Sequence, residues 1–463
     1  MLRSMRPTLA LLLLLCGCST QSSRIGGGDL HDAITTACAG RVSVSVLAVS
    51  LVDGHTVFAR RPELLMRPAS TMKLLTTIPL CVRNPDLEVT TSLEARDADG
   101  GALRLVGGAD PLLSEQDLGE LVARVHRAGV RQASVLSYVD PMSGHPRFGK
   151  GWMWDDEPGG FMPHLSGLTV DGGTVEVVAR GTREGLTVAY APRSAHTPAV
   201  VRPGPGPLEI ARDWRAGDRT ITVTGHLPAG KERRRTLSVP DSARHTAEVL
   251  KQLLMDAGIA NRDLLVRPAG ADDRWKPRRQ AEVRRPLPLL LAHANKPSDN
   301  LTAEMLLRHL GADAKGALGD VVSGHAVIRD HLASLGVTTH AYRLADGSGV
   351  SHYNLVSASL LVRLLADVHD RGDPTRTLFA ESLSVAGQDG TLATRMGGTA
   401  ADGVVRAKTG TISAVSGLAG YLTTAAGEPL AFAILCQNFV GTTAPWRALQ
   451  DRICLDLISG AGH

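Results

Sequence analysis

The sequence predicts an α+β protein in which one antiparallel-sheet domain is interrupted by a large α/β insertion. Three observations carry this. The chain opens on a helix and a strand pair and closes on three strands and a helix, so its two ends can share one sheet. From about Asp97 the texture changes, with frequent Gly and Asp and short strands alternating with helices. The stretch Asp272–Pro288 is charged, contains Pro and shows little periodicity, which reads as a solvated junction where the chain returns. The expected division is residues 1–28 as leader and tether, 29–95 and 280–463 as the split domain, and 96–279 as the insertion, itself two small modules.

The elements follow in order. Asp29–Ala39 has helical spacing, with Leu30, Ile34 and Cys38 at i, i+4 and i+8. Val44–Leu51 is Val-rich and reads as a buried strand, with Thr56–Arg60 its hairpin partner across Asp53-Gly54. Pro68–Leu80 is an apolar helix, opened by Pro68 and closed at Pro79. Within the insertion, Ser114–Ala128 and Thr246–Ala257 are amphipathic helices, and Val175–Tyr190 and Leu208–Leu227 are strand pairs. Helices return at Leu287–His293, Asn300–Gly311, Asp320–Leu335 and Val356–His369. Strands near Val404–Lys408, Ser416–Leu422 and Leu430–Gln437 precede a last helix at Ala444–Ile458.

Composition narrows the function. The chain has 463 residues, 43% apolar and 21% charged, which is ordinary for a globular protein and excludes general disorder. Fifty basic against 46 acidic residues leave a net charge of only +4, and aromatics make up 3%. Neither supports a nucleic-acid surface. Lys is scarce, at 8 against 42 Arg. A Lys that persists in such a chain points to chemistry that Arg cannot perform.

The first residues predict export. Arg3 and Arg6 precede an apolar run from Leu9 to Leu15 that is too short to span a bilayer. The run ends Leu15-Cys16-Gly17-Cys18, similar to a lipobox, so Cys18 is the expected lipidated N-terminus at the outer face of a membrane. An ordinary cleaved secretory signal is the alternative. Either way the mature chain works outside the cytoplasm.

Three triplets carry chemistry. Ser70-Thr71-Met72-Lys73 puts Ser70 and Lys73 one helical turn apart on one face, at a helix N-terminus that favours a forming anion. A serine hydroxyl needs a base to become a nucleophile. A buried amine can be that base, whereas Arg stays protonated. Ser298-Asp299-Asn300 lies at a helix start, where it can equally be a plain N-cap. Lys408-Thr409-Gly410 ends an apolar strand leading into Thr411, where a cation and a hydroxyl can hold a carboxylate and Gly lets a ligand approach the backbone. Each triplet alone is weak. There is no Gly-x-Ser-x-Gly elbow, no His-Glu-x-x-His and no phosphate-loop Lys, which disfavours α/β-hydrolase, zinc-peptidase and nucleotide chemistry.

In the order Ser-x-x-Lys, Ser-Asp-Asn, Lys-Thr-Gly, the three together make the chain resemble the low-molecular-mass class C penicillin-binding proteins, D-alanyl-D-alanine carboxypeptidases/endopeptidases. The resemblance runs over nearly all of the mature chain. It takes in Arg67–Thr76, Val106–Pro111, Gly151–Asp156, Asp346–Gly349, Gln388–Leu392 and Ala407–Thr411. The gap of 228 residues from Ser70 to Ser298 is far longer than in class A β-lactamases and has room for an inserted domain.

The resemblance implies the penicillin-recognising transpeptidase-like fold, an antiparallel sheet with a helical subdomain. It implies Ser70 as nucleophile, Lys73 as general base, Ser298 as proton relay and Asn300 as the group orienting Lys73 and the substrate. Lys408 and Thr409 would hold the substrate carboxylate, with Gly410 beside them in the substrate site and the N–H groups of Ser70 and Thr411 as oxyanion hole. The implied substrates are peptidoglycan stem peptides, with β-lactams as acylating mimics and with neither metal nor organic cofactor. A β-lactamase-like hydrolase and a non-catalytic penicillin-sensing wall-binding lipoprotein are the competing readings. The insertion is expected to be separable from the chemistry. The packing of first and last helices in this fold implies a Cys38–Cys454 disulfide, against the alternative of four reduced core thiols.

Overall fold

The computed structural model describes residues 27–96, 100–270 and 275–460. Its central sheet has six antiparallel strands in the order Ser384–Val385, Arg406–Ile412, Val415–Thr423, Pro429–Gln437, Ser43–Ser50, Thr56–Arg60. The first strand of the chain pairs with the last, Val46 opposite Ile434, so the two ends of the sequence close one sheet as expected.

Strand Pro429–Gln437 shows why this sheet sits in the middle. It is apolar on both faces, and its side chains alternate between two cores. Ala431, Ala433 and Leu435 pack into the core built with the helical subdomain. Leu430, Phe432, Ile434 and Cys436 pack into the core built with helices Gly27–Cys38 and Ala444–Ser459. The helical subdomain comprises Lys73–Arg83, Leu287–Asn295, Asn300–Leu310, Val321–Ser334, Ala358–Asp370 and Thr375–Ser382. Helix Lys73–Arg83 is the hub, buried continuously from Lys73 to Cys81. It does not end at Pro79 as expected but runs through it to Arg83. Leu80 and Cys81 are fully buried in the same core. That burial offsets the hydrogen bond which Pro79 cannot donate.

The inserted region has two layers of structure. Its first unit is a five-stranded mixed sheet ordered Ala260–Pro268, Gln132–Val139, Gly100–Val106, Glu88–Ala95, Arg279–Pro286. Helices Glu115–Arg127 and Ser242–Asp256 cover it. Ser114 opens the first of these with a reciprocal cap to Asp117. The second unit is two three-stranded sheets, Ala199–Pro207, Ile221–His226, Glu209–Arg212 and Glu232–Ser238, Thr174–Thr182, Gly185–Ala191, sharing one small core.

Strand pairing bears on both boundaries. Glu88–Ala95 and residues 280–286, assigned to the split domain from sequence, belong to strands that pair with each other in the five-stranded sheet. We therefore propose seams near residues 87 and 287, one strand further out on each side. Nor is the second junction a solvated linker throughout. Arg285 is largely buried and ion-paired with Asp110, at 3.3 Å, and with Asp117. Charge masked the strand because an edge strand carries charged side chains on its outward positions.

The expected Cys38–Cys454 bridge is absent. Cys38, Cys81, Cys436 and Cys454 are all free and buried. The first and last helices do touch, but their thiols face different neighbours. Cys436 feels the Cys38 thiol, whereas Cys454 feels Arg395 and Asp451. Burial pushes the Cys436 thiol up to about 12 and Cys454 higher still, so both stay protonated and behave as small apolar residues. Thiol titration of a chain lacking residues 1–26, unfolded without reductant, should find four reactive thiols and the folded chain almost none. A count of two after unfolding would restore a disulfide.

Candidate active site

Ser70 sits in a single 3₁₀ turn, Ala69–Met72, that runs straight into helix Lys73–Arg83. Pro68 starts the turn, and Thr71 Oγ1 donates to the Pro68 carbonyl at 2.7 Å. Ala69 has φ of +47°, a left-handed conformation that a non-glycine residue holds only when its surroundings require it. Those surroundings are two glycines. At Gly349 an added Cβ would lie 1.9 Å from the Ala69 carbonyl oxygen. At Gly410 it would lie 2.7 Å from the Pro68 oxygen and 3.1 Å from the Ser70 nitrogen. Gly410 was expected to admit a ligand. The backbone that it admits is the protein's own nucleophile turn.

Lys73 is fully buried, and its Nζ donates to three acceptors: Ser70 Oγ at 3.1 Å, Asn300 Oδ1 at 2.7 Å and the Ser348 carbonyl at 2.8 Å. Burial pulls its ammonium down to about 8, against the opposing charges of Asp299, Asp346 and Glu304. An amine poised near neutrality within reach of a hydroxyl is what a general base requires.

The Ser348 carbonyl is held by a buried carboxylate frame. Glu304 Oε1 accepts from the N–H groups of Gly347 and Ser348 at 2.9 and 3.0 Å, and Oε2 accepts from Arg308. Asp346 accepts from the N–H groups of Gly349 and Ser351 at 2.9 and 2.7 Å and from Asn354 Nδ2 at 2.7 Å. Trp152 Nε1 adds a bond to Asp346 Oδ2 at 3.0 Å. Thr76 Oγ1 ties the same loop to the nucleophile helix through the Gly347 carbonyl.

The Ser-Asp-Asn triplet divides its work. Asp299 caps helix Asn300–Leu310, accepting from Thr302 N at 2.7 Å. The capping interpretation therefore holds for the middle residue alone. Ser298, with φ of +67°, turns to accept from Lys408 Nζ at 2.8 Å, and Asn300 turns to Lys73. Lys408 is fully buried and also donates to the Thr409 carbonyl. Burial and the nearby Lys73 push its ammonium well below the ordinary value. Thr409 Oγ1 donates to Thr391 Oγ1 at 2.8 Å, and Thr411 Oγ1 accepts from Arg447 at 3.3 Å.

These groups surround a cavity of about 410 Å³ lined by Ser70, Phe161, Ser298, Asn300, Thr391, Thr409 and Thr411, with Arg395 and Arg447 at its side. Ser70, Lys73, Ser298, Asn300, Lys408, Thr409, Gly410 and Thr411 all converge there, from helix starts and one strand. Cys18 lies outside the described residues. Thr391, Phe161, Arg395, Arg447 and Ser348 were not singled out from sequence as site residues. Thr391 and Ser348 lie in motif strings already recognised. The two arginines and Phe161 carry no local signal. Phe161 also corrects the separable insertion, because its ring lines the cavity and its carbonyl accepts from Asn300 Nδ2 at 2.8 Å.

Comparison with known proteins agrees with this geometry. The profile of the D-Ala-D-Ala carboxypeptidase 3 (S13) family matches residues 29–453. A D-alanyl-D-alanine carboxypeptidase of Actinomadura sp. (strain R39) is 35% identical over 455 residues, 92% of this chain and 82% of that protein. The crystal structure of penicillin binding protein 4 from Haemophilus influenzae superposes with a TM-score of 0.78 at 21% identity, covering 94% of this chain and 99% of that one. The same protein complexed with a β-lactam superposes with a TM-score of 0.73 at 20% identity, covering 93% and 98%. With a profile match across nearly its whole length, this chain belongs to the D-Ala-D-Ala carboxypeptidase 3 (S13) family.

Proposed function

We propose that the chain is a serine-type D-Ala-D-Ala carboxypeptidase, DD-endopeptidase or both, acting on peptidoglycan stem peptides through an acyl-enzyme on Ser70. The observation that carries this is the buried Lys73 amine, lowered to about 8 and 3.1 Å from Ser70 Oγ. The matched relatives named as D-alanyl-D-alanine carboxypeptidases and the intact triplets support it.

Lys73 in its neutral form accepts the Ser70 proton as Oγ attacks the carbonyl carbon of the scissile bond. Asn300 and the Ser348 carbonyl keep its nitrogen aimed at Ser70. The backbone N–H groups of Ser70 and Thr411 receive the oxyanion. Ser298 bridges Lys408 and the leaving amine and passes the proton on, since it accepts from Lys408 and keeps its own hydroxyl hydrogen free to donate. Lys408 and Thr409 hold the terminal carboxylate, whose negative charge restores the Lys408 proton that burial disfavours. Water then releases the acyl group. A β-lactam carries a carboxylate in the same relation to its carbonyl and acylates Ser70 by the same steps. We place the mature enzyme outside the cytoplasm, anchored by lipid on Cys18, on the strength of the charged and apolar leader ending at that residue.

Lys73→Arg keeps the positive charge but has no lone pair to offer, so penicillin acylation should fall on the order of 10²–10⁴-fold. Mass measurement of the Ser70 adduct over time checks it, and near-normal labelling would remove Lys73 as the base. In the native enzyme the acylation rate should rise with pH and level off above a midpoint near 8, because the protonated amine is inactive. A flat profile from pH 6 to 10 would contradict this assignment. Lys408→Ala should weaken stem peptides and penicillin in parallel, by roughly 1.5–3 kcal/mol for a lost charged hydrogen bond. Acylation kinetics on both would show it, and an effect on only one ligand would argue against a shared carboxylate site.

A further inference from the structure

We infer that Trp154 and Trp214, with Arg215, form a stacking subsite for the glycan strand that carries the stem peptide. This rests on the peptidase reading above and extends it from the peptide to the polymer.

The chain is poor in aromatics, at 3%. Among the described residues only three aromatic side chains are exposed: Trp154 at 66%, Phe161 at 56% and Tyr353 at 50%. All three lie on or against the loop Gly151–Phe161. Phe161 lines the catalytic cavity. The Tyr353 ring packs on the backbone at Gly151, where an added Cβ would lie 2.5 Å from its Cδ2. Trp154 begins the short turn Trp154–Asp156 on the same loop. That loop is tied to the catalytic frame on both sides of Trp154, by Trp152 Nε1 on Asp346 and by the Phe161 carbonyl on Asn300. The loop that carries Trp154 is thus anchored to the groups around the cavity two and seven residues away.

Trp154 does not project alone. Its ring centroid is 5.0 Å from that of Trp214, tilted by 53°. Trp214 follows strand Glu209–Arg212 of the inserted β-unit. The Arg215 guanidinium lies 4.6 Å from the Trp214 centroid and 5.6 Å from that of Trp154. Indole faces backed by a cation offer flat apolar area at low entropic cost, with hydrogen-bond donors beside it. A pyranose ring presents a matching apolar face of C–H groups and a polar edge. Geometry supplies the occupant. When the C-terminal end of a stem peptide fills the cavity, its other end leads outward to the amino-sugar chain to which it is covalently joined. Nucleic acid, the other common ligand of exposed aromatic platforms, is disfavoured by the net charge of only +4.

Trp154→Ala and Trp214→Ala, each in the full chain, test the subsite on two substrates. One is a glycan-free peptide ending in D-Ala-D-Ala. The other is soluble glycan strands bearing the same peptide. Each variant should raise KM for the glycan-linked substrate roughly fivefold, with kcat, the glycan-free reaction and the penicillin acylation rate unchanged. Peptide-free glycan strands should bind the native enzyme calorimetrically and bind both variants more weakly, with Trp154→Phe restoring part of the affinity. Equal losses on both substrates, or no change on either, would overturn the subsite. Self-association lost in the variants without any effect on glycan would instead assign the patch to a protein contact. Failure of the native enzyme on the glycan-free peptide would count against the peptidase reading itself.

Discussion

The organisation of this protein depends on one buried amine. Lys73 has no exposed surface, and a charge so placed is held only where every donor finds a partner. Here the partners come from three elements distant in sequence: the nucleophile turn, the start of helix Asn300–Leu310 and the loop at Ser348. Each is fixed in turn. Asp299 caps its helix, and Glu304 and Asp346 hold the loop through backbone N–H groups. The carboxylates also supply negative charge that limits how far burial lowers the amine. The same residues therefore position the amine and tune it.

The second lysine completes the arrangement. Lys408 is also fully buried; burial and the charge of Lys73 weaken its ammonium, as burial weakens that of Lys73. The site is thus most favourably charged when occupied by a carboxylate. Arg could not replace Lys73, since its proton is not released. Three of the chain's eight lysines, Lys73, Lys296 and Lys408, belong to this neighbourhood, with Lys296 ion-paired to Asp389 in the loop that carries Thr391.

The inserted region is joined more closely to the chemistry than its independent sheets suggest. Strands Glu88–Ala95 and Arg279–Pro286, at the proposed seams, pair with each other. From the insertion the loop Gly151–Phe161 reaches back over the cavity, where Trp152 braces Asp346 and Phe161 braces Asn300. The catalytic domain and the insertion thus share the frame around Lys73.

The sequence by itself predicted the class of fold, the helix and strand types of the split domain and, through the resemblance of three combined motifs to a known family, the candidate residues that the structure gathers round one cavity. The elements were legible because they depend on local spacing: alternation in strands, caps at helix starts, and side chains one turn apart. The sequence left Ser298-Asp299-Asn300 open between a cap and a catalytic group, and only the fold showed that one residue caps while its neighbours turn inward. The cysteine pairing, the strand hidden in charged Arg279–Pro286, the course of the helix through Pro79 and the cavity residues Phe161, Arg395 and Arg447 were also decided by tertiary structure. Each depends on which distant segment lies opposite. Local pattern carries no record of that, because pairing is settled by long-range packing and not by the chemistry of neighbours along the chain.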